Sequence, residues 1–258
     1  MDSNYALSSD IESMTGVNTI SPTWFSVASK DGTVSSLADS SYVETAHEKG
    51  LEVWGLVDNF NQEVDMKEVL TNTTAREKLT TQLIEAALEY QLDGLNIDFE
   101  NLGEELGDAY IEFLRELSIQ CRKNNLVLSS DNTVPRDFSA YYQRSEQAEV
   151  VDYFIIMGYD EHYVGSDPGS VASLSFEKEG IESTIAEGVP ADKIISGVPF
   201  YTRLWKTDTS GEVSSEAIGM NTADSTLEAN GVTANWSDET SQDYAEYHDP
   251  ALPDLVGK

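Results

Sequence analysis

The segment of residues 92–100, Leu-Asp-Gly-Leu-Asn-Ile-Asp-Phe-Glu, combines a buried-strand pattern with several side chains that could do chemistry. Side chains point alternately to the two faces of a strand, so Asn96, Asp98 and Glu100 would share one face. Carboxylates at this spacing lie about 7 Å apart. Repulsion and burial then raise the pKa of one of them. Glu100, at the strand end, could therefore stay protonated near neutral pH and act as a general acid.

A plainer alternative is that these acids cap the next helix or face water. If the strand lined a barrel, however, its polar face would be buried. Burying charged groups costs several kcal/mol unless they are paired or protonated. Proteins rarely accept that cost for stability alone, so the pattern favours a functional site.

A second segment, Ile-Ile-Met-Gly-Tyr-Asp at residues 155–160, also ends a strand-like run. Met157 and Tyr159 would share one face, and Asp160 would lie at the strand end. Taken alone, the tetrapeptide Met-Gly-Tyr-Asp at residues 157–160 does not decide between two interpretations. It is as typical of a core methionine followed by a capping aspartate as it is of a binding site.

Strand-like and helix-like patterns alternate through the first two hundred residues. Apolar runs predict strands at residues 17–25, 51–57, 92–99, 126–133, 151–159 and 194–200. Periodic apolar stripes predict helices at residues 40–48, 75–90, 108–123, 139–147 and 176–187. Such alternation indicates a parallel sheet, either a (β/α)₈ barrel or an open doubly wound sheet. No glycine-rich phosphate loop follows any of these strands, which disfavours a nucleotide-binding sheet.

Composition excludes several other classes of function. The chain has 15 Lys and Arg against 47 Asp and Glu, a net charge of −32, which opposes sequence-independent binding to nucleic acid. No apolar run is long enough to span a membrane, and the start of the sequence lacks a signal-peptide pattern. One cysteine, Cys121, and three scattered histidines predict neither a metal site nor a cofactor.

The sequence changes character after Trp205. Residues 207–257 contain no Lys or Arg. We predict that residues 207–258 form an acidic, irregular excursion or a small subdomain, with one short helix near residues 222–230. The barrel elements would cover about residues 15–206, and the whole chain, residues 1–258, would be a single domain.

The two segments together resemble the signatures of family 18 glycoside hydrolases. Asp93-x-x-Asn96-x-Asp98-x-Glu100 is similar to the family's DxxDxDxE motif on the fourth barrel strand, although Asn96 stands where Asp is commonest. Met157-Gly-Tyr159-Asp160 resembles the MxYD motif on the sixth strand. The resemblance implies a (β/α)₈ barrel in which Glu100 is the general acid. It also implies that Asp98 and Tyr159 hold the N-acetyl group of the substrate, whose own oxygen serves as the nucleophile.

Further motifs resemble a bacterial branch of spore cortex-lytic and cell-wall N-acetylglucosaminidases. They include Ser21-Pro-Thr-Trp-Phe25 and Pro199-Phe-Tyr-Thr-Arg-Leu-Trp205. The implied activity is retaining hydrolysis of β-1,4-linked N-acetylglucosamine glycans, foremost peptidoglycan, in the cell envelope, spore or extracellular space. Two alternatives stay open, a chitinase and a module that binds N-acetylglucosamine oligomers without cutting them.

The resemblance also implies that two barrel strands are missing. The strand ending at Phe25 corresponds to the family's second strand, and no apolar run after Trp205 matches its last. We therefore expect the chain to supply strands two to seven of a barrel. It would then be a fragment of a longer gene, a natural short form, or a chain whose ends a partner completes. The oligomeric state is left open.

Several other residues are candidates for contacts with a glycan. We predict substrate-binding roles for Asn96, Asp160, Met157, Trp24, Tyr201, Trp205 and Asn132. For the three aromatic residues, core packing is an equally good interpretation. Asp58, Asn59, Asp131 and Asn132 could hydrogen-bond hydroxyl groups or cap loops. Arg203 could pair with Asp160 or Glu161.

Overall fold

The computed structural model describes residues 15–208, 210–248 and 255–257. The chain divides into two compact units. Unit 1 comprises Met1–Ile155 and Ile185–Ile195, and unit 2 comprises Ile156–Thr184 and Ser196–Lys258. That the whole chain is a single domain stays a prediction.

Unit 1 is built on a mostly parallel sheet. Its strands are β1 (Thr19–Ile20), β2 (Thr23–Val27), β3 (Val34–Ser36), β4 (Glu52–Asp58), β5 (Gly94–Asp98) and β6 (Val127–Thr133), followed by the first residues of β7 (Tyr153–Met157) and β8 (Ile194–Gly197). The strand order is β3-β2-β4-β5-β6-β7-β8, and β1 pairs with β4 beside this path. The predicted α/β fold with parallel pairing is confirmed.

Helices connect these strands, as the apolar periodicity predicts. They are α1 (Ser40–Glu48), α2 (Met66–Leu70), α3 (Thr73–Glu89), α4 (Gly107–Lys123) and α5 (Arg144–Ala148). The Asp39 side chain accepts hydrogen bonds from two backbone amides at the start of α1, and Asn72 does the same for α3. The core fills the space between these helices and the sheet, with Phe99, Phe113 and Leu114 almost fully buried.

Local chemistry changes two of the predicted elements. The strand predicted at residues 17–25 is two strands, β1 and β2, separated by Ser21 and Pro22, because proline lacks the N–H that a sheet requires. The helix predicted at residues 139–147 is a 3₁₀ turn at Asp137–Tyr142 followed by α5. Gln143 joins them with a left-handed φ of 47°, which no continuous helix accepts.

Unit 2 contains regular strands and a helix in the stretch after Trp205. An antiparallel hairpin joins β9 (Tyr201–Asp208) to β10 (Val213–Gly219), and β14 (Leu255–Gly257) pairs with the other edge of β9. The remaining elements are α6 (Leu174–Ala186), α7 (Met220–Asn230), β11 (Asn235–Ser237), β12 (Gln242–Tyr244) and β13 (Tyr247–His248). The short helix predicted near residues 222–230 is present as α7.

Within the part of the chain that the structure describes, no helix combines the length and apolarity needed to cross a membrane.

Candidate active site

The parallel register of unit 1 aligns polar side chains at the carboxyl ends of three neighbouring strands. Ser26 of β2 pairs with Asp58 of β4, and Asp58 pairs with Asp98 of β5. The Ser26 hydroxyl donates a 2.7 Å hydrogen bond to Asp58 Oδ1. Ligand and catalytic sites of parallel α/β folds occur at this edge of the sheet. The register therefore places Asp98 where chemistry is expected.

Asp98 is a buried carboxyl group in a negative environment. Its side chain is 8% exposed, and its Oδ1 atom has no hydrogen-bond partner among the described residues. Burial raises its pKa to about 7, with further contributions from the negative charges of Asp131, Glu100 and Asp58. Asp98 can therefore exchange a proton near neutral pH.

Asn96 links β5 to β6 through a buried hydrogen-bond chain. Its Nδ2 atom donates to Asp131 Oδ2 at 2.9 Å, and the Ser129 hydroxyl donates to Asn96 Oδ1 at 2.8 Å. Burial raises the pKa of Asp131 to about 7, although the hydrogen bond from Asn96 opposes the shift. The chain orients the Asp131 carboxyl, which makes Asp131 part of the candidate site.

Glu100 follows β5 and is half-buried. The Asn59 side chain holds its backbone on both sides, accepting from the Glu100 N–H and donating to the Glu100 carbonyl, both at 2.9 Å. The Tyr142 hydroxyl donates to the Phe99 carbonyl at 3.0 Å. These contacts fix the turn that carries the predicted acid.

The first aspartate of the signature supports the opposite end of the strand. Asp93 Oδ2 accepts a 2.8 Å hydrogen bond from the Val53 N–H and lies 2.9 Å from His47 Nε2. Asp93 thus joins the end of α1 and the start of β4 to β5, and its role in this structure is architectural.

In unit 2, the residues after β7 form a second polar group. The Tyr201 hydroxyl donates to Asp160 Oδ1 at 2.8 Å, and Arg203 Nη2 lies 3.9 Å from the same oxygen. The Tyr159 and Tyr201 rings meet edge to face with centroids 6.2 Å apart. Asp160 has a left-handed φ of 57°, which aspartate tolerates better than most residues. The predicted pair of Arg203 and Asp160 is present.

Burial differs among the remaining predicted glycan-contact residues of unit 2. Met157 is half-buried. Trp205 is 4% exposed, and its Nε1 donates to the Gly169 carbonyl at 3.0 Å. Little of the Trp205 ring is therefore free to stack on a sugar, whereas Tyr201 keeps part of its surface accessible.

In unit 1, two predicted substrate-binding residues are packed inside the protein. Trp24 is 6% exposed and meets Tyr42 of α1 edge to face. Asn132 is 3% exposed and exchanges hydrogen bonds with Gln147 in both directions, at 3.0 and 2.9 Å. Core packing, the alternative interpretation for Trp24, describes that residue in this structure, and the Asn132 amide is held inside the protein by Gln147.

Asn59 and Asp131, which the sequence offers only as candidates for hydrogen bonds to hydroxyl groups or for loop caps, take specific places in the site. Asn59 is one of several polar residues after β4, and only the register of β4 on β5 brings it to Glu100. Asp131 is distinguishable from Asn132 by alternation, because Asp131 and Ser129 share a face of β6.

The other reactive side chains lie outside this group. Cys121 is buried, and burial raises the pKa of its thiol to about 12. His162 Nδ1 lies 2.8 Å from the Asp167 carbonyl. No cluster of three or more His, Cys, Asp or Glu suited to a metal ion occurs within residues 15–208 and 210–248.

Comparison with known proteins places these features in a family. The model of the glycosyl hydrolases family 18 matches residues 15–252. YdhD of Bacillus subtilis, named as a sporulation-specific glycosylase, is 32% identical over 193 residues, 70% of this chain and 45% of that protein. The cortical fragment-lytic enzyme of Bacillus subtilis is 26% identical over 181 residues, 67% of this chain and 42% of that protein. The chain thus spans about half the length of the curated relatives it matches.

A solved structure extends the likeness to the fold. The crystal structure of YdhD from Bacillus subtilis is 26% identical and superposes with a TM-score of 0.84, covering 93% of this chain and 81% of that chain. The predicted fold class, an α/β chain of the (β/α)₈-barrel type, is confirmed. The match along residues 15–252 shows that the chain belongs to the glycosyl hydrolases family 18.

Proposed function

We propose that this chain hydrolyses β-1,4-linked N-acetylglucosamine glycans of bacterial peptidoglycan, with retention of configuration. Family membership supports a glycosidase. The similarity to a cortical fragment-lytic enzyme and to a protein named as a sporulation-specific glycosylase supports peptidoglycan as the polymer. By the same similarity, we propose the spore or cell envelope as the place of action.

The observation that carries the proposal is the buried Asp98 carboxyl, which ends β5 with one free oxygen and a pKa near the physiological range. A positive charge that develops beside such a group is stabilised strongly, because water does not screen the interaction. An N-acetyl group that attacks its own sugar ring develops this charge on its nitrogen. Asp98 is therefore suited to stabilise a cyclic oxazolinium intermediate.

The proposed reaction has two steps, and Glu100 acts in both. In the first, Glu100 donates its proton to the glycosidic oxygen while the acetamide oxygen of the substrate forms a bond to the anomeric carbon. The bond to the leaving sugar breaks, and Asp98 balances the positive charge. In the second, Glu100 removes a proton from water as the water oxygen attacks the anomeric carbon. The bond from that carbon to the acetamide oxygen breaks, which opens the oxazolinium ring and restores the acetamide. Two inversions at one carbon give retention.

We assign positioning of the acetamide group to Tyr159, and contacts with the sugar to Asp160, Met157 and Tyr201. Asn96 is 3% exposed and both polar atoms of its amide are paired inside the protein, so we assign it the orientation of Asp131 instead of a sugar contact. The hydrogen bond from Tyr201 and the nearby Arg203 fix the orientation of the Asp160 carboxyl. A preoriented carboxylate binds a sugar hydroxyl at a lower entropic cost than a mobile one.

Three substrates offered to the purified chain test the proposal. These are spore-cortex peptidoglycan, vegetative peptidoglycan and chitohexaose, with released reducing ends followed by mass spectrometry and the first product anomer by NMR. We expect cleavage of peptidoglycan with the β-anomer formed first. Cleavage of chitohexaose alone would indicate a chitinase. Binding without cleavage of any polymer would indicate a glycan-binding module, and either result would contradict the proposal.

A further inference from the structure

Two buried carboxyl groups in unit 1 share an unusual feature. Asp98 and Asp131 are 8% and 9% exposed, and the Oδ1 atom of each is buried without a hydrogen-bond partner among the described residues. A buried ionised oxygen that no donor reaches is unfavourable by several kcal/mol. Two such oxygens together call for a common explanation.

The sheet register sets the two groups next to each other. β5 and β6 are parallel, with Asn96 opposite Ser129 and Ile97 opposite Ser130. Continued by one residue, the same register would set Asp98 opposite Asp131, and neighbouring strands lie about 4.8 Å apart. The negative charge of Asp131 does act on Asp98, because it contributes to the raised pKa of that group. Ser129 and Asp131 lie on the same face of the sheet as Asn96 and Asp98. This follows because the side chains of Ser129 and Asp131 both hydrogen-bond to the Asn96 side chain.

Asn96 determines which oxygen of Asp131 is left free. Its amide donor engages Oδ2, and its own carbonyl oxygen is held by the Ser129 hydroxyl, so the amide is fixed in one orientation. An aspartate at position 96 could not donate this hydrogen bond in its ionised form. Asn96, which stands where Asp is commonest in the family, therefore supplies the donor that Asp131 accepts from in this structure.

Among the described residues, the charged groups that act on the Asp98 pKa are all negative. Burial raises this pKa most, and Asp131 from β6, Glu100 beyond its own strand and Asp58 from β4 raise it further. Burial, and to a smaller extent the negative charges of groups that include both carboxyls, also raises the pKa of the Tyr110 phenol on α4. Two adjacent carboxylates in such a setting repel each other, whereas one proton between them removes a charge and supplies a donor.

We propose that Asp131 is a positioning residue for Asp98, and that the two carboxyl groups hold one proton and one negative charge between them. In the free protein either group can carry the proton. When positive charge develops on the acetamide of the substrate, the proton resides on Asp131 and the negative charge on Asp98, so no proton enters or leaves the site. The raised pKa values of both groups agree with such a pair. This catalytic part rests on the proposed function, whereas the shared proton does not.

The shared proton can be measured without any turnover. Carboxyl ¹³C NMR of aspartate-labelled protein follows the titration of Asp98, whose resonance is assigned as the one missing from Asp98→Asn. In Asp131→Asn, which keeps the size of the side chain, we expect the Asp98 midpoint to fall by about one to two pH units. Asp137→Asn removes an exposed carboxyl from the turn after β6 and should leave that midpoint unchanged.

Two further results check the coupling. Asp98→Asn should lower the Asp131 midpoint by the same amount, because coupling between two sites is reciprocal. In the unsubstituted protein, two carboxyl resonances should report the same two titration steps, and this result needs no assignment from a variant. A single-step titration of Asp98 at a midpoint that Asp131→Asn leaves unchanged would overturn the proposal.

The kinetic consequence separates this inference from the proposed function. If the chain cleaves peptidoglycan, the acid limb of the pH profile of kcat/KM should stay in place in Asp131→Asn, as in Asp137→Asn. Loss of the first proton from the pair already leaves Asp98 ionised, and in Asp131→Asn the Asp98 carboxyl loses its proton beside a neutral neighbour, as it does in that first step. An NMR shift in a chain that cleaves nothing would leave the shared proton standing and refute the proposed function alone.

Discussion

The Asn59 side chain forms hydrogen bonds with both polar groups of the Glu100 backbone. Asn59 Oδ1 accepts from the Glu100 N–H and Asn59 Nδ2 donates to the Glu100 carbonyl, each at 2.9 Å. The two residues are 41 positions apart and belong to loops after neighbouring strands. Because the Asn59 amide bonds only the backbone here, its effect on the Glu100 carboxyl is one of placement.

Asn59→Ala should therefore lower kcat more than it changes KM. Two lost hydrogen bonds worth about 1 kcal/mol each correspond to a decrease of about tenfold to thirtyfold in kcat, if the placement of Glu100 limits the reaction. Asn59→Asp, which keeps the acceptor but not the donor, should fall between. Steady-state kinetics checks this, with the exposed Asn18→Ala as the control. Equal kcat in Asn59→Ala and the unsubstituted chain would remove Asn59 from the positioning role.

Asp98 should make stability depend on pH. Its folded pKa of about 7 lies above the ordinary aspartate pKa of 3.8, so the folded state binds more protons than the unfolded state between these values. Stability therefore falls as pH rises from about 4 to 7, by about 1.4 kcal/mol for each unit of pKa shift. The side chain in Asp98→Asn cannot ionise. The Tm of this variant minus the Tm of the parent should therefore be larger at pH 8 than at pH 5. A difference in Tm that is the same at both pH values would contradict the buried, proton-binding state of Asp98.

Asn132→Ala should affect stability and leave the chemistry in place. Both polar atoms of the Asn132 amide are paired, and its removal leaves the buried Gln147 amide short of partners. Such a loss destabilises a protein by about 1–3 kcal/mol. Thermal unfolding should show a lower Tm, while kcat/KM measured well below that temperature stays unchanged. A large rise in KM with an unchanged Tm would return Asn132 to the substrate-binding residues.

Tyr201→Phe tests the polar group of unit 2. It removes the hydrogen bond that orients Asp160 and leaves Arg203 as the nearest partner of that carboxylate. One hydrogen bond of about 1 kcal/mol corresponds to roughly fivefold weaker binding of N-acetylglucosamine oligomers. Calorimetric titration measures this, with the exposed Tyr163→Phe as a matched control. Binding equally tight in Tyr201→Phe and Tyr163→Phe would exclude the proposed role of this contact.

Local signals in the sequence predict the parallel part of the fold well. The predicted helix at residues 40–48 is α1 itself, because Asp39 caps its start and Gly50, with a φ of 75°, ends the turn after it. The sequence does not predict the hairpin of β9 and β10, because β10, Val213–Gly219, contains no apolar run that would indicate a strand. Its signal is the turn, where the Asp208 side chain accepts from the Ser210 and Glu212 amides and Gly211 takes a φ of 85°.

The candidate site also has features that the sequence predicts and features that it does not. Alternation along β5 predicts that Asn96 and Asp98 share a buried face, and the structure places them there. Alternation cannot show that Asp131 accepts from Asn96 or that Asn59 reaches Glu100, because those contacts depend on the register between strands. The individual catalytic and binding roles stay proposals until variants are measured.

The identity of the general acid is the central claim, and one comparison tests it most directly. Initial rates of reducing-end release from spore-cortex peptidoglycan are measured for the parent chain, Glu100→Gln and Glu104→Gln. Glu104 is an exposed glutamate four positions along the chain, so its variant matches the change in charge and composition. We predict that Glu100→Gln loses at least about a hundredfold in kcat, the range typical of a general acid, while Glu104→Gln keeps the parent rate. Hydrolysis by Glu100→Gln at the parent rate would contradict the assignment of Glu100 and with it the proposed mechanism.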